Sequence, residues 1–185
     1  MKRRICLLAA MAAMAWAQDK QDEPPVKNIE LTVYLLSGVQ TPAGDDVPSD
    51  LASTVKQLHS LFTYKGYKLA ESFILRGRTS LNTKQSQGAR TQGVLPMSGV
   101  HYNFGYSRVR VSPDKPYMVH IDGLSINLQG PPSYGPDGKQ RGYNTIGSIS
   151  TDLDFVDGQK TVVGKSSINA NGDALILVIV PKVIE

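Results

Sequence analysis

The sequence predicts a mostly β protein, an antiparallel β-sandwich or curled sheet, with a small α+β part at its N-terminal end that contributes one helix. Residues 29–76 have the apolar periodicity of a strand, a helix and a second strand. From His101 onward, short apolar segments alternate with turn residues, as in antiparallel sheets. Residues 174–180 contain no polar side chain, so the last strand should be covered on both faces. Two covered faces favour a layered fold.

The N-terminal unit, residues 29–76, begins with a strand in which every second residue from Ile29 to Leu35 is apolar. A helix is predicted to follow Ser49, with an apolar face made of Leu51, Val55, Leu58, Leu61 and Phe62. The second strand should carry on one side Tyr67, Leu69, Phe73 and Leu75. This unit either has a core of its own or extends the sheet of the antiparallel β domain, residues 100–185, and the sequence leaves both arrangements open.

Several segments have the composition of loops and turns. Residues 77–99 are polar and predict a flexible loop or an irregular hairpin. The prolines and glycines of residues 130–138 predict an exposed loop in place of a central strand. Asp122-Gly123 predicts a hairpin turn or a bulge. Two further dipeptides tolerate the positive φ angles of tight turns and predict hairpins between the last three strands, namely Asp157-Gly158 and Asn171-Gly172.

The N-terminal segment has the three parts of a secretory signal peptide: a basic start, a short apolar run, and small residues, Ala15 and Ala17, at a cleavage site. We expect residues 1–17 to be removed on export and residues 18–28 to form an extended linker. The alternative is an uncleaved membrane anchor, although the apolar stretch is shorter than the roughly 20 residues that a spanning helix needs. The expected location is the bacterial periplasm or the outer membrane surface. Cys6, the only cysteine, lies in the signal segment, so the mature chain would have neither disulfides nor thiolate ligands.

Charge patterning predicts a basic surface. Removal of residues 1–17 would take three of the 20 basic residues and none of the 16 acidic ones, which leaves a net charge of +1. No acid lies between Glu71 and Asp114, whereas the same region carries six basic residues, Arg76, Arg78, Lys84, Arg90, Arg108 and Arg110. These residues predict an anion-binding patch. The alternative is a solvated surface whose charges are neutralised by acids that folding brings near. No nucleic-acid partner is expected.

The sequence has no recognisable catalytic signature. The three histidines, His59, His101 and His120, have no metal-ligand spacing, and nucleophile-elbow, zinc-protease and phosphate-loop motifs are absent. Asp152 and Asp154 share one face of a predicted strand, where a solvent-facing role explains them as well as a carboxylate pair does. We therefore expect a protein that is not an enzyme and that has no cofactor or metal. Clustering of the histidines with either aspartate would favour a hydrolase instead.

The C-terminal segment carries a pattern shared with one family. Asp157-Gly158-Gln159 and Val162-Val163-Gly164, followed by an apolar strand that ends in residues 180–184, resemble the end of bacterial secretins, the outer-membrane channels of secretion and pilus systems. Residues 29–76 are similar to the small ring-building modules of that family. Two lysines depart from the motif, Lys160 as an insertion and Lys165 in place of a second glycine. The resemblance implies a secretin-like β-domain that belongs to, or assists, an envelope complex.

Together these observations predict an exported, non-enzymatic envelope protein with a structural or protein-interaction role, as a component or accessory of a secretion or pilus complex. It would contact other envelope proteins, or copies of itself, by pairing sheet edges with partner strands. The alternative function is that of a soluble β-sandwich module that binds an anionic glycan or lipid headgroup through Arg76, Arg78, Arg108 and Arg110.

Overall fold

The computed structural model describes residues 26–79, 88–96 and 99–184. The predicted signal peptide, most of the predicted linker and Lys84 lie outside these residues. One 3-10 turn, one helix and nine strands follow in chain order: β1 (Asn28–Val39), the 3-10 turn (Ser49–Leu51), α1 (Ala52–Leu61), β2 (Gly66–Arg78), β3 (Ala89–Val94), β4 (His101–Tyr106), β5 (Arg108–Val111), β6 (Met118–Tyr134), β7 (Gln140–Val156), β8 (Thr161–Ser167) and β9 (Ala174–Ile184).

The strands form two antiparallel sheets, as the sequence predicted. The first sheet has the order β2-β1-β9-β8, so the N-terminal strand lies between its antiparallel partner β2 and the C-terminal strand. In the second sheet, β3 pairs with β4, and β4, β5 and β7 all pair with β6. Because β7 pairs along the length of β6, β4 and β5 lie end to end on its other side. The N-terminal unit therefore extends the sheet that contains β8 and β9.

The main core lies between the two sheets. Alternate residues of β1, from Ile29 to Leu35, are at most 1% exposed, because strand geometry points every second side chain to the same face. They pack with apolar residues of the second sheet that include Phe104, Ile126 and Phe155. Complete burial of each large apolar side chain stabilises the fold by about 1.5–3 kcal/mol. This core holds the sheets together and leaves the outer face of the second sheet open to solvent.

A second core lies between the first sheet and α1. On β9, Leu175, Leu177 and Ile179 belong to the intersheet core, whereas Ile176 and Val178 pack under the helix. The prediction that the last strand is covered on both faces is thus confirmed. The helix contributes Val55 and Leu58, and the 3-10 turn before it contributes Leu51. Leu61 is 68% exposed, so its predicted place on the buried face is wrong. Leu61 is the last residue of the helix.

A bulge in β2 overturns the prediction that its large apolar residues share one side. The register with β1 shifts between Leu35 and Leu36, and Ala70 is the extra residue. Since one inserted residue reverses the alternation, Tyr67 and Leu69 pack under the helix. Beyond the bulge, β2 contributes to the intersheet core, where Phe73 stacks on Tyr102 with ring centroids 5.7 Å apart.

Two segments contain strand, one predicted as a flexible loop or an irregular hairpin and the other as an exposed loop. Strand β2 continues through Arg78, and β3 forms within residues 77–99, where Gln92 pairs with Asn103 despite the polar composition. Strand β6 continues to Tyr134, so residues 130–134 are not a loop. The register with β7 shifts between Gln129 and Pro132, and this irregularity accommodates the prolines that a regular central strand would exclude.

The predicted turns fall at breaks in the pairing. Asp122-Gly123 is a bulge in β6, where the register shifts between Ile121 and Leu124 and Gly123 has a φ of +62°. Gly172, with a φ of +84°, lies in the connection of the β8–β9 hairpin. Gly158 has a φ of +74°. The Asp157-Gly158 turn differs from the predicted hairpin because it joins β7 of one sheet to β8 of the other.

Candidate functional site

The second sheet has a two-stranded extension, called here the ribbon, which is formed by residues 130–134 of β6 and 140–146 of β7. Strand β4 pairs with β6 only as far as Gln129, whereas β7 continues to pair up to Tyr134. Among the described residues, each ribbon strand therefore has only the other as its ladder partner. An isolated pair of strands is marginally stable in water, so a third strand would stabilise the ribbon.

The ribbon also carries exposed apolar surface. Tyr134, Tyr143 and Ile146 are 64%, 43% and 37% exposed. The ring of Tyr143 lies 5.1 Å from the ring of His101 on β4, which fixes the tyrosine at the base of the ribbon. Single exposed apolar residues are common, but three on one short protruding element make a surface suited to contact with another chain.

The two edges of the ribbon differ in their ability to accept a further strand. Pro131 and Pro132 lack N–H groups, and successive N–H groups of a strand point to opposite edges. One proline therefore removes a donor from the free edge of β6, which blocks that edge. The outer edge of β7 has no proline between Gln140 and Val156. The ribbon thus presents one edge, that of β7, with a complete set of backbone donors and acceptors.

The predicted anion-binding residues are divided between the two sheets. On β2, Arg76 forms an ion pair with Glu30 at 2.8 Å, and the Arg78 guanidinium donates to the Asn28 side chain at 3.2 Å. On β5, Arg110 pairs with Asp122 at 3.1 Å. Arg90 lies on β3 and Arg108 on β5. Folding therefore brings an acid to two of these arginines, Arg76 and Arg110, and the described members of the set lie on strands of both sheets.

A charged cluster surrounds His120 on the outer face of the second sheet. Nδ1 of His120 lies 2.6 Å from the Asp154 carboxylate, and Nε2 lies 2.9 Å from Asp122. The hydrogen bond to Asp154 is the main cause that raises the pKa of His120, and the bond to Asp122 adds to it. Burial alone would raise the pKa of Asp122, but hydrogen bonds from His120 and Arg110 outweigh it, so the pKa of Asp122 lies below its usual value.

The three histidines occupy separate parts of the fold. His120 contacts Asp154, which is one of the contacts expected of a hydrolytic site. The other two histidines lie elsewhere, because His59 contacts Asp45 beside α1 and His101 contacts Tyr143. Within the described ranges, no group of three or more His, Cys, Asp or Glu side chains is placed to hold a metal ion. No helix in the same ranges is long and apolar enough to cross a membrane.

Sequence reasoning missed the ribbon because residues 130–138 have loop composition. A signal was present on the other strand, where Tyr143, Thr145 and Ile146 are residue types that favour strands. The two prolines concealed the pairing, since the bulges that admit them depend on the partner strand.

Comparisons with known proteins leave the chain without an assigned family. No family model matches it, and no curated protein matches it. Among solved structures, it is similar to the type II secretion system secretin XcpQ from Pseudomonas aeruginosa, with 10% sequence identity and a TM-score of 0.32. The similarity covers 86% of this chain and 57% of the secretin chain. A likeness of this size is weak and does not establish membership of the secretin family.

Proposed function

We propose that this protein is an exported, non-enzymatic interaction module of the cell envelope, which binds an extended segment of another protein along the outer edge of β7. The observation that carries this proposal is the pairing in the ribbon. Among the described residues, β7 pairs only with β6, so its outer edge has no strand partner. A partner strand would complete the backbone hydrogen bonds of that edge, and its side chains would cover Tyr143 and Ile146.

The export part of the proposal is supported by the signal-like residues 1–17. Its test is N-terminal sequencing of the protein recovered from the envelope fraction of bacterial cells. We expect the recovered chain to begin at Gln18. Recovery from the cytosolic fraction with Met1 intact would contradict export without bearing on the ribbon.

The interaction part is tested by a photo-cross-linking amino acid placed at residue 143 of the full chain in living cells. The matched control places the same amino acid at residue 61, because Leu61 is also an exposed apolar residue but lies on α1. We expect protein adducts from position 143 and not from position 61. The mass of the adduct distinguishes a second copy of this chain from a different protein.

A double substitution supplies the second test. Tyr143→Lys with Ile146→Lys places charges of the kind that protect natural sheet edges from added strands. We expect this variant to lose the cross-linked complex, or the oligomer in light scattering, whereas Leu61→Lys retains it. Absence of any adduct from position 143, or equal adducts from both positions, would overturn the proposal.

A further inference from the structure

The outer face of the second sheet contains a polar trough that the ribbon does not explain. It crosses β3, β4 and β6, has a volume of about 550 Å³, and has its floor at Gly105 and Ser125, which face each other across β4 and β6. A second hollow of about 340 Å³ adjoins it and shares Gln92, Asn103 and Gln129 with it. The two hollows form one continuous groove.

Four amide side chains line this trough, and the strand register sets their positions. Gln92 pairs with Asn103, and Asn103 pairs with Asn127, so three amides form one row across three strands. Gln129 lies two residues beyond Asn127 on the same face. We call Gln92, Asn103, Asn127 and Gln129 the amide trough. Adjacent strands are about 4.8 Å apart, which spaces the amides of the row regularly.

Hydrogen-bond partners for these amide side chains are absent among the described residues. In the part of the chain that the structure describes, none of the four side chains takes part in a hydrogen bond. Each amide offers two donors and one acceptor oxygen. Asparagine is disfavoured in strands, yet Asn103 and Asn127 face each other in the middle of this sheet. Residues that oppose local propensity without a structural gain mark functional sites.

The two ends of the groove have different chemistry. At one end, the side chain of Arg90 lies over Gly105, because a Cβ atom on this glycine would stand 2.8 Å from Cγ of Arg90. Arg90 has no ion-pair partner among the described residues, so its guanidinium is available to a carboxylate. At the other end, Tyr143 and His101 present ring surface to the second hollow. The groove thus combines amides, one cation and an aromatic surface.

We propose that the amide trough is a binding site for an oligosaccharide that carries a carboxylate. Hydroxyl groups of successive sugar units would pair with the amides, which donate and accept as hydroxyl groups do. The apolar face of a sugar ring would pack on Tyr143, and Arg90 would pair with the carboxylate. This site goes beyond the proposed strand-binding function, because Asn103 and Asn127 lie outside the ribbon.

The test uses two matched hexasaccharides and NMR titration of the full chain. One is a hexamer of β-1,4-linked glucuronic acid and the other is the β-1,4-linked glucose hexamer, which differ only in the oxidation of C6. We expect both to perturb backbone resonances of β3, β4 and β6, with tighter binding of the acidic hexamer. Asn103→Ala with Asn127→Ala should weaken both affinities by about tenfold or more, since two hydrogen-bonding groups are lost.

Two further variants separate the contributions. Arg90→Gln should remove the preference for the acidic hexamer and leave the affinity for the neutral one unchanged. Gln57→Ala, which deletes an exposed amide on α1, should bind both as the unmodified protein does. The proposal is overturned if neither hexamer perturbs these strands or if the double variant binds normally. It is also overturned if the resonances of β3, β4 and β6 respond to protein concentration and not to either hexamer. That result would make the trough a contact surface between copies of this chain.

Discussion

The Asp157 carboxylate accepts a hydrogen bond from the backbone N–H of Val183, with Oδ1 and N 2.8 Å apart. Next to it, the Gly158 N–H donates to the Pro181 carbonyl at 2.7 Å. Strand β8 pairs with β9 only from Ile179 back to Ala174, so the last residues of β9 have no partner from β8. The Asp157-Gly158 turn supplies those partners and ties β7 of the second sheet to the end of the first.

Asp157→Ala should therefore destabilise the protein. The substitution leaves the Val183 N–H without its acceptor, which costs about 1–2 kcal/mol in the free energy of unfolding. The measurement is urea denaturation. Asp114→Ala is the control, because Asp114 is exposed and its side chain makes no contact of this kind with the described residues. Equal midpoints for the two variants would show that the Asp157 bond contributes nothing to stability.

Gly158→Val should destabilise the same turn through the backbone. The φ of +74° at Gly158 lies in the left-handed region, which costs about 1–2 kcal/mol for residues with a Cβ atom and more for a branched one. Gly158→Asn is the comparison, since asparagine tolerates this region better. We expect the thermal midpoints to fall in the order glycine, asparagine, valine. A valine variant that melts with the unmodified protein would contradict the positive φ.

The sequence predicted features that depend on local pattern. The apolar run of β9 indicated two covered faces, and the alternation from Ile29 to Leu35 indicated a half-buried strand, because in both cases the side-chain period alone determines which face is buried. Asp157 and Gly158 were predicted as turn residues from their type. Their hydrogen bonds to β9 could not be predicted, because these bonds join residues more than twenty positions apart.

Features that depend on a partner strand were missed. The bulge at Ala70 reverses the faces of β2, yet alanine gives no signal of a bulge, which arises from the register with β1. The same holds for the ribbon, where β7 pairs with a proline-containing segment of β6. In the amide trough, Asn103 and Asn127 lie 24 positions apart and become neighbours only through the β4–β6 pairing. The amino-acid composition of the two strands does not predict that these asparagines are neighbours.

The cluster around His120 predicts a pH-dependent stability. The folded-state pKa of His120 lies above its ordinary value of 6.5, so its contribution is fully present below that pH and is lost as the pH rises through the folded-state pKa. We expect the free energy of unfolding to decline as the pH rises from 6.5 through the folded-state pKa of His120. The His120→Asn variant should lack this decline. Asp154→Asn should lower the pKa of His120 in an NMR titration, since it removes the main cause of the shift.

The lowered pKa of Asp122 predicts that the fold loses stability as the pH falls in the acidic range. Its folded-state pKa lies below its ordinary value of 3.8, so its contribution is present above that pH and is lost as the pH falls through the folded-state pKa. The Asp122→Asn variant should lose less stability than the unmodified protein in this acidic interval. Arg110→Ala should shift the acid transition in the same direction, because Arg110 donates to the Asp122 carboxylate at 3.1 Å. Identical acid transitions for all three proteins would contradict this role of Asp122.

Two leucines of α1 provide a matched test of the helix orientation. Leu58 is fully buried between the helix and the first sheet, whereas Leu61 is 68% exposed at the end of the helix, although the sequence pattern placed both on the apolar face. Leu58→Ala should cost about 2–5 kcal/mol, because it removes buried apolar surface and leaves a cavity. Leu61→Ala should change the free energy of unfolding by less than about 0.5 kcal/mol, as exposed substitutions do. Equal losses in the free energy of unfolding would mean that α1 is rotated so that both leucines face the sheet. Leu61 would then no longer serve as an exposed control for the ribbon.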